Sequence, residues 1–147
     1  MSKYSEKRDF SKTPEPQWSI AQEHEPIFVV QEHHASHLHW DFRLALDGVL
    51  KSWAIPKEPP TEKNVKRLAI QTEDHPLEYA NFEGVIPEGQ YGAGVVKIWD
   101  KGTFELLERT NTKYDFILNG AKLKGKYHLI KFPKGGQDAW LFFKSSD

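Results

Sequence analysis

Polar and apolar residues alternate from His39 to Leu44, and this alternation constrains the fold more than any other feature of the chain. A period of two predicts a β-strand with one face buried. His39, Asp41 and Arg43 would share the polar face, where neighbours on the same side of a strand lie about 6.6 Å apart. A slip of one residue would bury all three polar groups, so the apolar face fixes the register. The sequence therefore predicts a row of imidazole, carboxylate and guanidinium.

Short strand candidates separated by turn signals fill most of the 147 residues. We expect tight turns at Asp47-Gly48 and Lys101-Gly102, and a type I′ hairpin turn at Asn119-Gly120. Residues 61–66 are compatible with a short helical turn. This pattern favours an all-β fold, an antiparallel barrel or sandwich. The predicted strands are 27–31, 39–46, 49–55, 67–72, 93–99, 102–108, 113–118, 121–131 and 138–144.

The chain length indicates one domain with a polar N-terminal segment. We expect residues 1–26 to form an arm that packs on a barrel of residues 27–147, with Phe10 and Trp18 as the anchoring side chains. No apolar run approaches the ~20 residues needed to cross a membrane, and no signal-peptide pattern opens the chain. These features predict an intracellular soluble protein.

Composition limits the kinds of site that the chain can build. There is no cysteine, so any metal must be held by histidines and carboxylates. The net charge is −1, which does not indicate a nucleic-acid partner by itself. Residues 113–147 hold seven lysines against three aspartates. This basic segment could follow a phosphate backbone, although lysines also protect the edges of sheets.

The polar row offers ligands for a divalent metal. His39 and Asp41 suit Mn²⁺, Fe²⁺ or Zn²⁺, and either His33 or His34 could supply a third ligand. Arg43 would then stand beside the metal as a two-pronged donor for phosphate oxygens. Metal and arginine together suit phosphoryl transfer, in which negative charge develops.

Two further stretches carry chemical groups. His75 precedes a proline in the segment QTEDHPLEY, so it lies in a turn, where it could act as a general acid. The segment IPEGQYGAG lacks the Lys-Ser/Thr of a phosphate-binding loop, and its glycines are better explained by a tight entry into a strand. Lys57 follows the predicted hairpin and could reach a phosphate.

Three functions are compatible with this spacing. His39, Asp41 and a distant His75 match the two-histidine, one-carboxylate pattern of non-haem iron oxygenases. A nucleic-acid-binding barrel with a structural metal is a second, non-enzymatic alternative. A metal-dependent phosphoesterase is the third, and it uses His33 and Arg43 as well.

The motifs resemble a known family. FVVQEHHASHLHWDFRLALDGVLKSWAIPK, together with RDFSKTPEP, HPLEY and IPEGQYGAG, is similar to the 3′-phosphoesterase domain of DNA ligase D, over about residues 7–144. The resemblance implies a small closed β barrel with a crescent-shaped groove. It implies removal of a 3′-terminal ribonucleotide from DNA and then of the remaining 3′-phosphate, with Mn²⁺ as cofactor and Co²⁺ or Zn²⁺ as alternatives. The implied partners are DNA or RNA-tipped primer-template 3′ ends and a separately encoded ligase or polymerase, in the cytoplasm at the nucleoid.

The resemblance also implies roles for individual residues. The metal ligands would be His33, His39 and Asp41. The other matched positions are catalytic or support the substrate. The catalytic positions are Arg43, His75, Tyr79, Lys57, Arg67 and Glu73, and the supporting positions are Arg8, Asp9, Glu15 and Gln31. Ser36, His37 and Ala45 depart from the family pattern, which often has basic residues at the first two positions and glutamate at the third.

Overall fold

The computed structural model describes residues 3–19 and 23–146. Within them the regular secondary structure is almost entirely β, with one short helix and two 3₁₀ turns at Leu77–Asn81 and Pro133–Gly135. Among the described residues, no helix is both long and apolar enough to span a membrane. The elements are α1 Lys3–Glu6, β1 Ile27–His34, β2 Leu38–Leu46, β3 Val49–Ile55, β4 Lys66–His75, β5 Gly84–Ile86, β6 Gly94–Arg109, β7 Lys113–Asn119, β8 Lys124–Lys131 and β9 Ala139–Lys144.

Eight of these strands close into an antiparallel barrel. The strand order is β1-β2-β3-β4-β9-β8-β7-β6, and β6 pairs back onto β1 to close the sheet. The short strand β5 lies outside the barrel and pairs with the first residues of β6. The all-β closed barrel that the resemblance implied is therefore confirmed, and closure leaves few free strand edges.

Aromatic side chains fill the barrel interior. Phe42 stacks on Phe142, with ring centroids 4.6 Å apart, and Trp53 is fully buried beside them. Because even-numbered residues of β2 point into this core, His39 and Arg43 must point out of the barrel. The interior packing thus sets the direction of the polar row.

A second apolar cluster covers the outer face of the barrel beside the row. Tyr4 of α1 is fully buried in it, and Phe10 and Trp18 pack against it. The Tyr4 hydroxyl donates to the carbonyl of Pro16, which holds the N-terminal segment in a compact loop. The predicted arm also contained residues 1–2 and 20–22, which lie outside the described residues.

The predicted turn at Lys101-Gly102 is wrong, because β6 runs through it as one strand of 16 residues. Gly102 serves a close approach instead: a Cβ at this position would lie 2.1 Å from the carbonyl oxygen of Asn119. A shift in pairing with β1 before Asp100 marks a bulge that bends the strand.

The type I′ turn predicted at Asn119-Gly120 is also wrong. A type I′ turn needs positive φ at both central residues, whereas in the described chain neither residue has one. The buried Asp100 carboxylate instead accepts hydrogen bonds from the backbone amides of residues 121, 122 and 123, at 2.7 to 3.1 Å. The helical turn considered at 61–66 is likewise not formed, while the Asp47-Gly48 turn is confirmed, with φ of 57° and 80°.

We expect Gly102→Ala to lower the free energy of unfolding by about 1–3 kcal/mol, the usual cost of overpacking. The added methyl group would collide with backbone, which cannot move as a flexible side chain can. Lys97→Ala, on the exposed face of the same strand, is the matched control. Urea unfolding measures both, and equal stability of the two variants would contradict the close approach.

Candidate active site

The pairing of β1 with β2 assembles the candidate metal ligands. His33 lies directly opposite His39 in the register, and the two imidazole rings are 4.8 Å apart. Asp41 lies two residues along β2 on the same outer face. His34 points away into solvent and pairs with Glu32. The spacing in the sequence left open whether His33 or His34 is the third candidate ligand. The position of His33 opposite His39 favours His33.

The three ligand atoms lie within 4.8 Å of one another. Asp41 Oδ2 is 3.2 Å from His39 Nε2 and 3.7 Å from His33 Nδ1. The other nitrogen of each ring faces a backbone carbonyl, His33 Nε2 that of Gly92 at 2.7 Å and His39 Nδ1 that of His37 at 3.2 Å. Because carbonyls only accept, these nitrogens would carry the protons when a metal is bound, and the nitrogens that face Asp41 would present lone pairs to the metal. Two such nitrogens and a carboxylate fit a divalent transition metal.

Electrostatics keep the Asp41 carboxylate ionised. Burial opposes its charge, but the Arg43 guanidinium and contacts with His33 and His39 outweigh burial and hold the pKa of Asp41 well below its usual range. Burial likewise opposes protonation of His39, whereas the contact with Asp41 raises the pKa of His39 overall. A charged carboxylate is the form that binds metal.

Arg43 is buried and held in a fixed orientation. Its Nε donates to Gln31 Oε1 at 2.7 Å, and Gln31 Nε2 donates to the carbonyl of Tyr79 at 2.7 Å. Its Nη2 lies 3.5 Å from Asp41 Oδ2. The guanidinium therefore stands next to the ligand triad with its side-chain entropy already lost, an arrangement suited to binding phosphate oxygens.

His75 is the last, paired residue of β4, so the turn predicted for it is wrong, and its ring lies between two arginines. Its Nδ1 is 3.0 Å from the carbonyl of Glu73 and 3.3 Å from Arg43 Nη1, and its Nε2 is 3.4 Å from Arg8 Nη2. Burial, with the charges of Arg43 and Arg8, lowers the pKa of His75 well below its usual value. His75 is therefore neutral at pH 7. It stands outside the ligand triad, so the iron-oxygenase arrangement of His39, Asp41 and His75 is not assembled among the described residues.

The N-terminal segment completes the wall of the site. Arg8 Nε donates to Glu15 Oε2 at 2.9 Å, and its Nη1 lies 3.3 Å from Glu73 Oε2. The Tyr79 hydroxyl donates to the same Glu15 oxygen at 2.7 Å. Burial raises the pKa of Tyr79, so its hydroxyl keeps its proton. Four of the candidate residues thus form one buried network beside His75.

A cavity of about 280 Å³, which we call the site groove, opens over these groups. The described residues that line it include most of the candidates and several positions that the sequence did not single out. Gly92, for example, contributes only its carbonyl, which a sequence pattern does not mark. The additional lining residues are Ala35, Ala54, Thr72, Tyr91 and Gly92.

Three candidates belong neither to the site groove nor to the hydrogen-bonded network beside it. Lys57 and Arg67 line a separate cavity, which we call the basic cavity, further along β3 and β4. Arg67 Nε donates there to the carbonyl of Glu58 at 2.8 Å. Asp9 is exposed and accepts from the Ser11 hydroxyl and amide, so it shapes the turn before Glu15.

The departures from the family pattern have different surroundings. Ser36 and His37 are exposed in the loop between β1 and β2, at the rim of the site groove. Ala45 is buried in the outer apolar cluster with Leu50 and Tyr79. Its place is packed by apolar groups and does not hold a polar contact to the ligands.

Comparison with known proteins agrees with this geometry. Residues 31–131 match the family described as the DNA Ligase D 3′-phosphoesterase domain. The chain is 47% identical to the multifunctional non-homologous end joining protein LigD of Pseudomonas aeruginosa, over all of this chain and 19% of that protein. It is 47% identical to the Mycobacterium tuberculosis relative over 96% of this chain and 19% of that protein, and 42% identical to that of Mycolicibacterium smegmatis over all of this chain and 21% of that protein.

The chain thus spans about a fifth of the length of these curated relatives. The family match begins at Gln31 and covers the ligand triad, Arg43, His75 and Tyr79. Since it extends over more than half of the chain, the chain belongs to the DNA ligase D 3′-phosphoesterase domain family.

Proposed function

We propose that the protein is a metal-dependent phosphoesterase that heals DNA 3′ ends, removing a 3′-terminal ribonucleotide and then the 3′-phosphate to leave a 3′-OH. The observation that carries this proposal is the row of His33, His39 and Asp41 with Arg43 beside it on the outer face of the barrel. Family membership supports the phosphoesterase class, and the relatives' names place them in non-homologous end joining.

The charge balance of the site supports a phosphate substrate. Apart from its histidines, the described network around His75 holds equal numbers of cations and carboxylates, so a bound divalent ion would add a charge of about +2. A phosphomonoester carries a charge of about −2 above its second pKa, near 6. The cations are Lys7, Arg8 and Arg43, and the carboxylates are Glu15, Asp41 and Glu73.

His33, His39 and Asp41 would hold the ion, which we propose is Mn²⁺, with Co²⁺ or Zn²⁺ as substitutes. When bound, such an ion polarises a phosphoryl oxygen and stabilises negative charge on it. Arg43 would bind further phosphoryl oxygens through its two terminal nitrogens, already oriented by Gln31. Tyr79 and Glu15 would keep Arg8 in place against His75.

The protonation of His75 limits its role. A neutral imidazole is a weak acid, and its one proton lies on Nδ1 facing the Glu73 carbonyl, so we assign His75 the positioning of the arginines that bind the phosphoryl group rather than proton transfer to the leaving oxygen. Its contacts with Arg8 and Arg43 also keep the two guanidinium groups apart.

This assignment gives a pH prediction. Because the pKa of His75 is below its usual 6.5, its protonation does not cause any fall in rate between about pH 7 and pH 6. His75→Asn should therefore lower the rate while leaving the acidic limb of the pH–rate profile unchanged. Phosphatase rates from pH 5.5 to 8 measure this, and loss of that limb in the variant would contradict a neutral His75.

We further propose how the substrate and partners are arranged. Lys57, Lys66 and Arg67 of the basic cavity would attract the DNA strand, since no acid is among its described lining residues. Residues 1–26 would act as an arm over a barrel of residues 27–147. A separately encoded ligase or polymerase would receive the healed end.

The proposal is tested by incubating the protein with a DNA primer-template that ends in one 3′-ribonucleotide, and separately with a 3′-phosphate end. The expected result is shortening to a 3′-OH product that depends on added metal, with Mn²⁺ most effective in a series with Co²⁺, Zn²⁺ and Mg²⁺. Intact ends under every metal, with the DNA bound, would favour the binding-module alternative.

A further inference from the structure

Tyr91 stands at the junction of two cavities. It lines the site groove and also an adjoining cavity of about 360 Å³, which we call the side cavity. Its ring is 48% exposed, and it is the only aromatic residue among the exposed large hydrophobic side chains of the described chain. The proposed chemistry leaves this residue without a function.

The position of the Tyr91 ring is tied to the site. Lys7 Nζ lies 3.3 Å from its hydroxyl and 4.7 Å from the ring centre. The Arg8 guanidinium carbon is 5.3 Å from the ring centre. The next residue, Gly92, accepts the hydrogen bond that orients the ligand His33. An exposed aromatic ring is thus held at a fixed place beside the ligand triad.

The separate basic cavity differs in charge from the side cavity, which shares Thr72, Glu73 and Tyr91 with the site groove. The basic cavity holds three cations, Lys57, Lys66 and Arg67, and no acid among its described lining residues. In the side cavity, two lysines are balanced by Glu73 and Asp138. A strand that carries one negative charge per nucleotide is attracted to the first, whereas a group without phosphate meets no electrostatic penalty in the second.

The proposed ribonucleotide removal produces such a group. If the phosphate stays on the strand, the bond that breaks joins phosphorus to the 5′ oxygen of the terminal ribonucleoside. Water supplies the oxygen that remains on phosphorus, and the nucleoside leaves with a proton on its 5′ oxygen. The leaving nucleoside has no phosphate of its own. The charge-balanced side cavity therefore suits it, since an uncharged nucleoside needs no excess of cations.

We propose that Tyr91 forms the subsite for this leaving nucleoside by stacking its ring against the base. The inference rests on the proposed function, since it needs a phosphodiester with a terminal nucleoside. Stacking tolerates any base, because every base has a flat π face, so the subsite would accept all four ribonucleotides. A 3′-phosphate end has nothing beyond the scissile bond to reach Tyr91.

The test compares Tyr91→Ala and Tyr91→Phe with wild type on three substrates. These are an end with a terminal adenosine, the same end with a terminal ribose lacking its base, and a 3′-phosphate end. We expect Tyr91→Ala to lower kcat/KM by about tenfold or more on the adenosine end, with little change on the other two. Tyr91→Phe keeps the ring and should stay near wild type on all three.

The outcomes separate the inference from the proposed function. Equal losses by Tyr91→Ala on all three substrates, or no loss on the adenosine end, would overturn the nucleoside subsite. Inactive wild type on both the adenosine and 3′-phosphate ends would overturn the proposed function. Equilibrium binding of the three ends without metal then still tests the subsite, because only wild type and Tyr91→Phe should prefer the adenosine end over the baseless one.

Discussion

Replacing Asp41 with asparagine should reduce turnover of a 3′-phosphate end by more than about 100-fold, since loss even of groups that only support metal ligands costs 10- to 100-fold. Asparagine keeps the shape of the side chain but removes the charge that His33, His39 and Arg43 surround. The variant should fold, because the barrel core lies on the other face of β2. The affinity for Mn²⁺, measured by calorimetry, should fall together with the rate.

Asp47→Asn provides the matched control. Asp47 lies in the turn that joins β2 to β3, with φ of 57°, a conformation that asparagine tolerates. It is exposed and pairs with Arg109, away from the ligand triad. The control should keep wild-type rate and Mn²⁺ affinity. An Asp41→Asn protein that turned over as fast as this control would contradict the role of Asp41 as a ligand.

Replacing Arg43 with lysine should lower kcat by at least about 100-fold, the cost of losing one donor aimed at the transition state. Lysine keeps the charge but not the planar fork, so it cannot offer two parallel donors to a phosphate as Arg43 can while its Nε donates to Gln31. Because Arg43 does not belong to the ligand triad, Mn²⁺ affinity should change much less than the rate.

The rate is measured at saturating Mn²⁺, and Mn²⁺ affinity is measured by titration of the same preparation. Arg109→Lys, on the barrel surface in a pair with Asp47, is the control for the substitution itself. A wild-type rate in Arg43→Lys would show that the fork is dispensable. If Mn²⁺ affinity fell as much as the rate, Arg43 would act in metal binding and not in phosphate binding.

The sequence could predict the row on β2 because one side of that strand is apolar and the other polar. It could not predict the face of His33, because β1 is buried on both sides. Phe28 and Val30 pack in the barrel interior, whereas Val29 packs in the outer cluster, so the run has no period of two. Only the pairing of β1 with β2 placed His33, and not His34, opposite His39.

Local turn signals misled the prediction where distant contacts decide the backbone. Gly102 was interpreted as a turn residue, yet it admits the backbone of Asn119 from a neighbouring strand. Asn119-Gly120 had the composition of a tight hairpin, yet Asp100, some twenty residues earlier, organises that loop. Both contacts join residues that are far apart in the chain, so a short stretch of sequence cannot predict them.

The candidate site was predicted unevenly for the same reason. Buried, charged residues in distinctive motifs, such as Arg43 and Glu15, were singled out and lie in the site or its supporting network. Tyr91 was missed, because one aromatic residue in a glycine-rich loop carries no periodic signal. Lys57 and Arg67 were singled out, but they line the basic cavity and not the site groove.

The proposed activity requires that His33, His39 and Asp41 hold one divalent ion beside Arg43. Anomalous X-ray scattering from a crystal soaked in Mn²⁺ locates such an ion directly. We expect a single peak about 2.0–2.2 Å from His33 Nδ1, His39 Nε2 and Asp41 Oδ2, the range found for similar ligands. A crystal with no peak among these three atoms, or with the ion bound elsewhere, would contradict it.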